Sequence, residues 1–297
     1  MGESDASLQA PARFWTRIGA WQPLTGSGLA AFAQTGVGRL LLFQASFALA
    51  AALTLVWCLR VAWIPVIEKA LAALPSSGAE IRTRRLLWPD SEAVLLASSP
   101  HLALAVDPTS SSQLGQNGDV QVELRGIDLR FRGLLGQVVT RYPGDFLLPL
   151  DRTGATAAWG AWSLPILTLV GVGTGLGLVV IGWLLALLYA PVLVFFAWIT
   201  RRPLGFAEAW KLGLASLMPA SLLMDLGLIL YARHWLGLIS ITAVFGIHIL
   251  AGWVAAFWGL SRYAPKIPDA AVANPFGKET MSARVVPVLK PRNPFDH

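Results

Sequence analysis

Two ionisable residues interrupt long apolar runs, and any chemistry in this chain would start with them. Asp225 lies within residues 212–231 and His248 within residues 235–260. A carboxylate inside a membrane span is expensive, and by default it marks an ion path, a proton relay or a ligand counter-ion. The same cost is relieved without function when the group bonds a neighbouring helix or reaches toward an interface. Measured from the matching ends of their runs, Asp225 lies about 9 Å deep and His248 about 20 Å deep at a rise of 1.5 Å per residue. The gap of roughly 10 Å is too wide for a direct hydrogen bond at the usual N···O or O···O separations. Asp225 is therefore expected to be structurally paired, with Arg233 and His234 nearby at the end of its run. The alternative is a polar path lined by Asp225 and Pro219.

The other chemically suggestive features have simpler readings. Gly171, Gly173, Gly175 and Gly177 form two overlapping small-xxx-small pairs, which let helix backbones approach closely. A phosphate-binding loop needs a strand before it and a helix start after it, and both flanks here read as apolar helix. Glu208 and Lys211 stand three apart, as a helix-surface ion pair would. His101 is alone in a polar stretch and reads as ordinary surface. Cys58, the single cysteine, sits in an apolar run, where a thiol packs as a small hydrophobe. Asn274-Pro275-Phe276 and Asn293-Pro294-Phe295 repeat in a proline-rich tail, where chance accounts for such a tripeptide. No catalytic constellation or metal-ligand spacing appears, so the expectation is a non-enzyme with no cofactor and no metal.

The elements that must carry these residues are mostly membrane helices. Of 297 residues, 55% are hydrophobic and 13% charged, against about a quarter charged in soluble domains. The formal charge of +6 is spread beside apolar runs and not gathered in one patch, which argues against nucleic acid and for membrane flanks. Residues 1–12 lack the basic start and apolar stretch of a cleavable signal, so the first apolar run is expected to act as a signal anchor. Arg39 and Arg60 bracket an uncharged run of the length that crosses a bilayer core. Residues 61–74 continue as an amphipathic helix that ends at Pro75.

Residues 76–156 differ in kind. Charges and turn residues return, and Val120, Val122 and Leu124 alternate with Asp119, Gln121 and Glu123. Alternation restarts one register later after Gly126, as at a turn or bulge. Residues 102–106 are a further strand candidate. The apolar content is small for an independent core, so this domain should lean on the helices. Residues 163–200 carry no charge and are expected to form one helix extending beyond the bilayer. Residues 212–231 and 235–260 complete four spans. Phe14, Ile18 and Trp21 share a face of a short interfacial helix, and the tail from Ser261 reads as disordered.

Orientation follows from cations near the span ends. One side gathers Arg39, Arg201, Arg202, Lys211, Arg262, Lys266 and Lys278; the other has Arg60, Lys69, Arg152 and Arg233. Both termini should therefore be cytoplasmic and residues 76–156 extracytoplasmic. Trp57, Trp63, Trp159, Trp162 and Trp235 fall at the outer interface and Trp198, Trp210 and Trp258 at the inner one, the depths such rings prefer.

The segment Arg201-Arg202-Pro203-Leu204-Gly205-Phe206-Ala207-Glu208-Ala209-Trp210-Lys211-Leu212, leading to Leu217-Met218-Pro219, resembles the basic, aromatic and Ala-x-x-Pro signature of a bacterial membrane-protein family. That family is defined by domain of unknown function 1189, and some of its members are named for maltodextrin use. More distantly the segment resembles the Yip1-type membrane proteins. Leu104-Ala105-Val106-Asp107-Pro108 is similar to the family's external strand ending in Asp. The resemblance implies a first span, an external strand-rich domain and a cluster of three spans, and it implies no mechanism.

The expected fold is an α-helical integral membrane protein of four transmembrane helices with a small extracytoplasmic α+β domain. Its parts are a cytoplasmic segment at 1–38, a first helix with its extension at 39–75, the strand-rich domain at 76–156, a three-helix region at 157–260 and a cytoplasmic tail at 261–297. The expected role is that of an accessory, scaffold or sensor component of the cell membrane. Its partners would be the lipid bilayer and another membrane protein. The alternative is a transporter or transport-complex subunit, with a membrane-embedded enzyme third. A transporter usually shows internal repeats and an enzyme clustered titratable groups; neither is visible.

Overall fold

The structure, a computed structural model, describes residues 22–109, 114–144 and 147–263. The expected interfacial helix around Phe14, Ile18 and Trp21, and the tail from residue 264, lie outside the described residues. Six helices are described: α1 (Gly26–Gln34), α2 (Val37–Ala62), α3 (Ile64–Ala72), α4 (Arg152–Ile199), α5 (Phe206–Ala232) and α6 (Leu238–Arg262). Four helical stretches are long and apolar enough to cross a membrane: α2 continued by α3, then α4, α5 and α6.

α4 is a single helix of 48 residues, about 72 Å long at 1.5 Å per residue. The glycines do not fold it into a hairpin. It starts at Arg152, inside the stretch read as strand domain, because the Asp151 carboxylate caps it by accepting from the Gly154 N–H at 2.9 Å. α2 and α3 run antiparallel along it. A Cβ on Gly171 would lie 3.1 Å from Val56, and one on Gly175 3.8 Å from Ala52. At the far end the Arg152 N–H donates to the Pro75 carbonyl at 2.9 Å.

α5 is the most buried of the long helices, packing against α1, α2, α4 and α6. Its approach to α4 depends on Gly213, where a Cβ would meet the Tyr189 Cβ at 3.0 Å and the Ala186 backbone at 3.5 Å. α1 is the element least expected. The sequence places residues 1–38 in a cytoplasmic segment, yet Leu29, Phe32 and Ala33 are buried in the bundle core with Leu212, Ala256 and Leu260. Thr25 caps α1 by accepting from the Gly28 N–H. The apolar content of α1 is what buries it: four of its nine residues are alanine or phenylalanine, small or flat enough to fit against α5 and α6.

Eight strands are described between α3 and α4. β1 (Glu80–Arg82), β2 (Arg85–Leu87) and β8 (Leu148–Pro149) form a three-stranded antiparallel sheet in the order β2-β1-β8. β3 (Val94–Ser98), β4 (Leu102–Asp107), β5 (Val120–Arg125), β6 (Asp128–Gly133) and β7 (Gly136–Arg141) form the second sheet in sequence order. β4 and β5 pair in parallel and the other neighbours are antiparallel. The phase shift at Gly126 is the β5–β6 hairpin turn. The core here is small, with Ile81, Leu86, Val106 and Tyr142 buried, and β3 and β4 rest on α3.

Candidate functional site

The described residues bring four polar side chains together where the strands meet the end of α5. His101 stands just before β4, on a tight loop. The Ser99 hydroxyl oxygen accepts from the His101 and Leu102 N–H groups at 3.2 and 3.1 Å. Asp119 stands just before β5, its N–H donating to the Pro100 carbonyl at 2.8 Å. The parallel pairing of β4 with β5 thus sets His101 and Asp119 side by side.

Tyr231 and His234 come from the end of α5. Trp235 N–H donates to the Leu230 carbonyl and His234 N–H to the Tyr231 carbonyl, the double closure of a Schellman motif. His234 takes the left-handed position, φ 62°, which glycine usually fills and which costs a side-chain-bearing residue roughly 1 kcal/mol. That turn lays the His234 ring parallel to His101, with centroids 4.5 Å apart and planes 1° apart. Tyr231 packs on the same imidazole at 4.2 Å and donates its hydroxyl to Asp119 Oδ2 at 2.7 Å.

His101 is 2% exposed. Its Nδ1 lies 3.6 Å from Asp119 Oδ2, an electrostatic contact too long for a hydrogen bond, and neither ring nitrogen has a hydrogen-bond partner among the described residues. Burial first, and then the charge of His234, hold this imidazole below the ordinary value of 6.5, while Asp119 pulls it up. An open cleft of about 340 Å³ runs past Pro100, His101, Asp119, His234, Leu236 and Gly237. No group of three or more His, Cys, Asp or Glu among the described residues is placed to hold a metal ion. The arrangement joins two parts of the protein through groups whose fit depends on protonation. His101, read from sequence as ordinary surface, is one of the most buried polar residues. Its partners lie 18, 130 and 133 positions away along the chain, and no spacing rule links them.

A second polar cluster lies within the sheet. Glu123 is fully buried, with Arg130 and Arg132 at 3.4 and 3.5 Å. Both arginines come from β6, where the register places Arg130 opposite Glu123.

The residues singled out by sequence are dispersed. Asp225 is 8% exposed and makes no hydrogen bond or ion pair with a described residue, so the structural partner expected for it is not found. Gly227, two residues on and on another face of α5, packs on α6, where a Cβ would meet Val244 and Ile241. The cations expected nearby are engaged elsewhere, Arg233 over the Trp57 ring at 5.5 Å and His234 on His101. α6 begins at Leu238, later than the apolar run, which reduces the axial offset of His248 from Asp225 to about 4.5 Å at 1.5 Å per residue. Even so, the two are not bonded; His248 Nδ1 lies 2.5 Å from the Phe245 carbonyl of its own helix. Pro219 lies within an unbroken α5. Of the glycine pairs, Gly171 and Gly175 face α2, while a Cβ on Gly173 or Gly177 would meet open space. Lys211 does not pair with Glu208; its ammonium donates to the Thr35 carbonyl at the end of α1, 3.1 Å away. The most polar residue of the first apolar run, Gln44, donates to the Val179 carbonyl and accepts from the Trp183 indole at 2.8 Å.

No family model, no curated protein and no solved structure matches the chain.

Proposed function

We propose that this is a non-enzymatic, multi-pass protein of the cell membrane that works as a sensor or accessory component, with both termini cytoplasmic and the strand domain outside. The observation that carries it is the His101–Asp119–Tyr231–His234 junction, which fastens the strand domain to the end of the most buried helix. α5 is held at its other end by the Lys211 bond to α1. A change at the external domain is thereby felt along α5 and at α1. The cation count supports the orientation: Arg39, Arg201, Arg202, Lys211 and Arg262 lie at the end of the bundle away from the strands. The order of elements is the one implied by the resemblance to the domain-of-unknown-function family. A lipid bilayer and a second membrane protein are the partners this role requires.

Tyr231→Phe tests the coupling, because it removes only the hydroxyl that bonds Asp119. In protein reconstituted into lipid nanodiscs, hydrogen exchange should quicken in β4 and β5 and also in α1. Unchanged exchange in α1 would sink the sensor reading. For the orientation, cysteines at Ile127 and Gly36 in a Cys58→Ser background meet a membrane-impermeant thiol reagent on intact cells. Ile127 should label and Gly36 should not; the reverse pattern would invert the protein.

One observation favours a second reading, a transporter subunit: Asp225 is buried in α5 without a described partner. Proteoliposomes that pass a substrate or proton current, lost in Asp225→Asn, would favour it over the sensor.

A further inference from the structure

We propose that the β6–β7 turn, Leu134 and Leu135, dips into the lipid leaflet beneath the strand domain and gives the domain a second foothold on the membrane. Leu135 is fully exposed, at 102%, and Leu134 is half-exposed. The turn is tight: Gly133 pairs with Gly136, which adopts φ 111°, so the two leucines stand at the tip where no sheet face can cover them. A fully exposed leucine beside a half-exposed one at a hairpin tip gains by leaving water for an apolar surround.

The height of this tip is fixed by its neighbours. Asp119 bonds Tyr231 in the last turn of α5, and Arg233, two residues on, lies over Trp57 of α2. Trp57, Arg233 and the 78%-exposed Trp235 are the residue types that mark a bilayer interface. A Cβ on Gly133 would be 3.7 Å from the Asp119 carbonyl, so the end of β6 stands at that level. β6 runs antiparallel to β5, and β5 leads away from Asp119. The turn after Gly133 therefore continues past the level of Asp119 in the opposite sense, toward the bundle end. β6 and β7 pack on no helix to any appreciable extent. What lies beneath the tip is accordingly the space around the bundle, which a bilayer fills with acyl chains.

The occupant is thus lipid, and the inference rests on the bundle crossing a membrane. The test uses the whole chain, with Cys58→Ser, in nanodiscs of phosphatidylcholine with or without brominated acyl chains. A nitrobenzoxadiazole label is attached in turn at Leu135→Cys, Ile127→Cys and Leu250→Cys. Leu250 is 64% exposed at the middle of α6 and reports the membrane reading alone. The label at Leu135 should shift to the blue and be quenched by brominated lipid, as at Leu250, while the label at Ile127 stays water-like. Quenching at Leu250 with a water-like signal at Leu135 overturns the foothold and leaves the membrane reading intact. A blue-shifted but unquenched Leu135 means that protein, such as a second copy, covers the tip, and it also overturns the proposal. Quenching at both hairpin ends means that the whole sheet lies flat on the lipid, against a tip-first contact. No quenching at Leu250 removes the membrane reading and the foothold together.

Discussion

The helix bundle and the strand domain are stabilised by opposite means. In the bundle most buried positions are small or purely apolar, Gln44 and Asp225 being the large polar exceptions among the described residues. Ala186, Ala190, Ala197, Ala209, Ala215 and Ala256 let helices approach, and Leu29, Leu193, Leu212 and Leu214 fill the remaining space. Its polar links are few, such as Gln44 with Trp183 and Lys211 with Thr35. In the strand domain Ile81, Leu86, Leu102, Ala103, Ala105, Val106 and Tyr142 are buried, and among them Glu123, Gln121, Asp107 and His101 are each buried to 2% exposure or less. Packing accounts for most of the first region. The second needs charge pairing and contact with α3 and α5, since a buried ion is stable only while its partners remain.

The contrast breaks most sharply at Glu123. Glu123→Ala should destabilise the strand domain by about 3 kcal/mol, the usual result of stranding one side of a buried ion pair. Limited proteolysis should then cut within residues 120–141 while α5 and α6 stay intact; equal resistance in both proteins would mean that the ion pair is incidental. The bundle should break through size instead. Gly213→Leu would force α4 and α5 apart at Tyr189, costing about 2 kcal/mol by overpacking. The midpoint of unfolding in sodium dodecyl sulfate should fall while hydrogen exchange in β4–β6 is unmoved.

Acid should separate the two regions. The His101 value is held below 6.5 when docked, so the undocked form takes up the proton first. Docking stability is complete above about pH 6.5 and is lost as pH falls through the docked value. The groups facing His101 are Asp119, His234 and Tyr231. Hydrogen exchange of β4 and β5 should quicken on acidification, and His101→Phe should flatten that response; a flat wild-type profile would refute it. The smallest effect is expected at Gln44→Leu, which leaves the Trp183 indole unpaired and should cost about 0.6 kcal/mol, as interhelical hydrogen bonds in membranes average. A larger drop in the detergent midpoint would show that the bundle depends on polar links after all.

What could be read from the chain follows the same division. Long uncharged runs announce helices because length and apolarity are local properties, and the alternation around Gly126 announces a hairpin for the same reason. α1 escaped because nine residues carry no span-length signal; its burial depends on the shape of α5 and α6. The junction escaped for a stronger reason. His101 and Asp119 are neighbours only because β4 and β5 pair in parallel across a connection, and His234 joins them only through a left-handed turn where glycine is the usual residue. Asp225 was conspicuous by being charged in an apolar run, but what packs against it depends on helix register. Glu123 showed in sequence only as the polar half of an alternation, which gives no sign that its face is covered.

α4 and the α2–α3 pair form two antiparallel struts, of 48 and 36 residues. They are tied at the top, where Arg152 bonds Pro75 and Leu74. Pairing Gly171 with Val56 and Arg152 with Pro75 sets Pro165 in one strut almost level with Pro65 and the α2–α3 break at Trp63 in the other. A proline within a helix removes a backbone bond and is where bending is easiest. With one joint in each strut and a common crosspiece, a bend at that height is shared by both, and the Tyr231–Asp119 bond to α5 acts as a third stay on the strand domain.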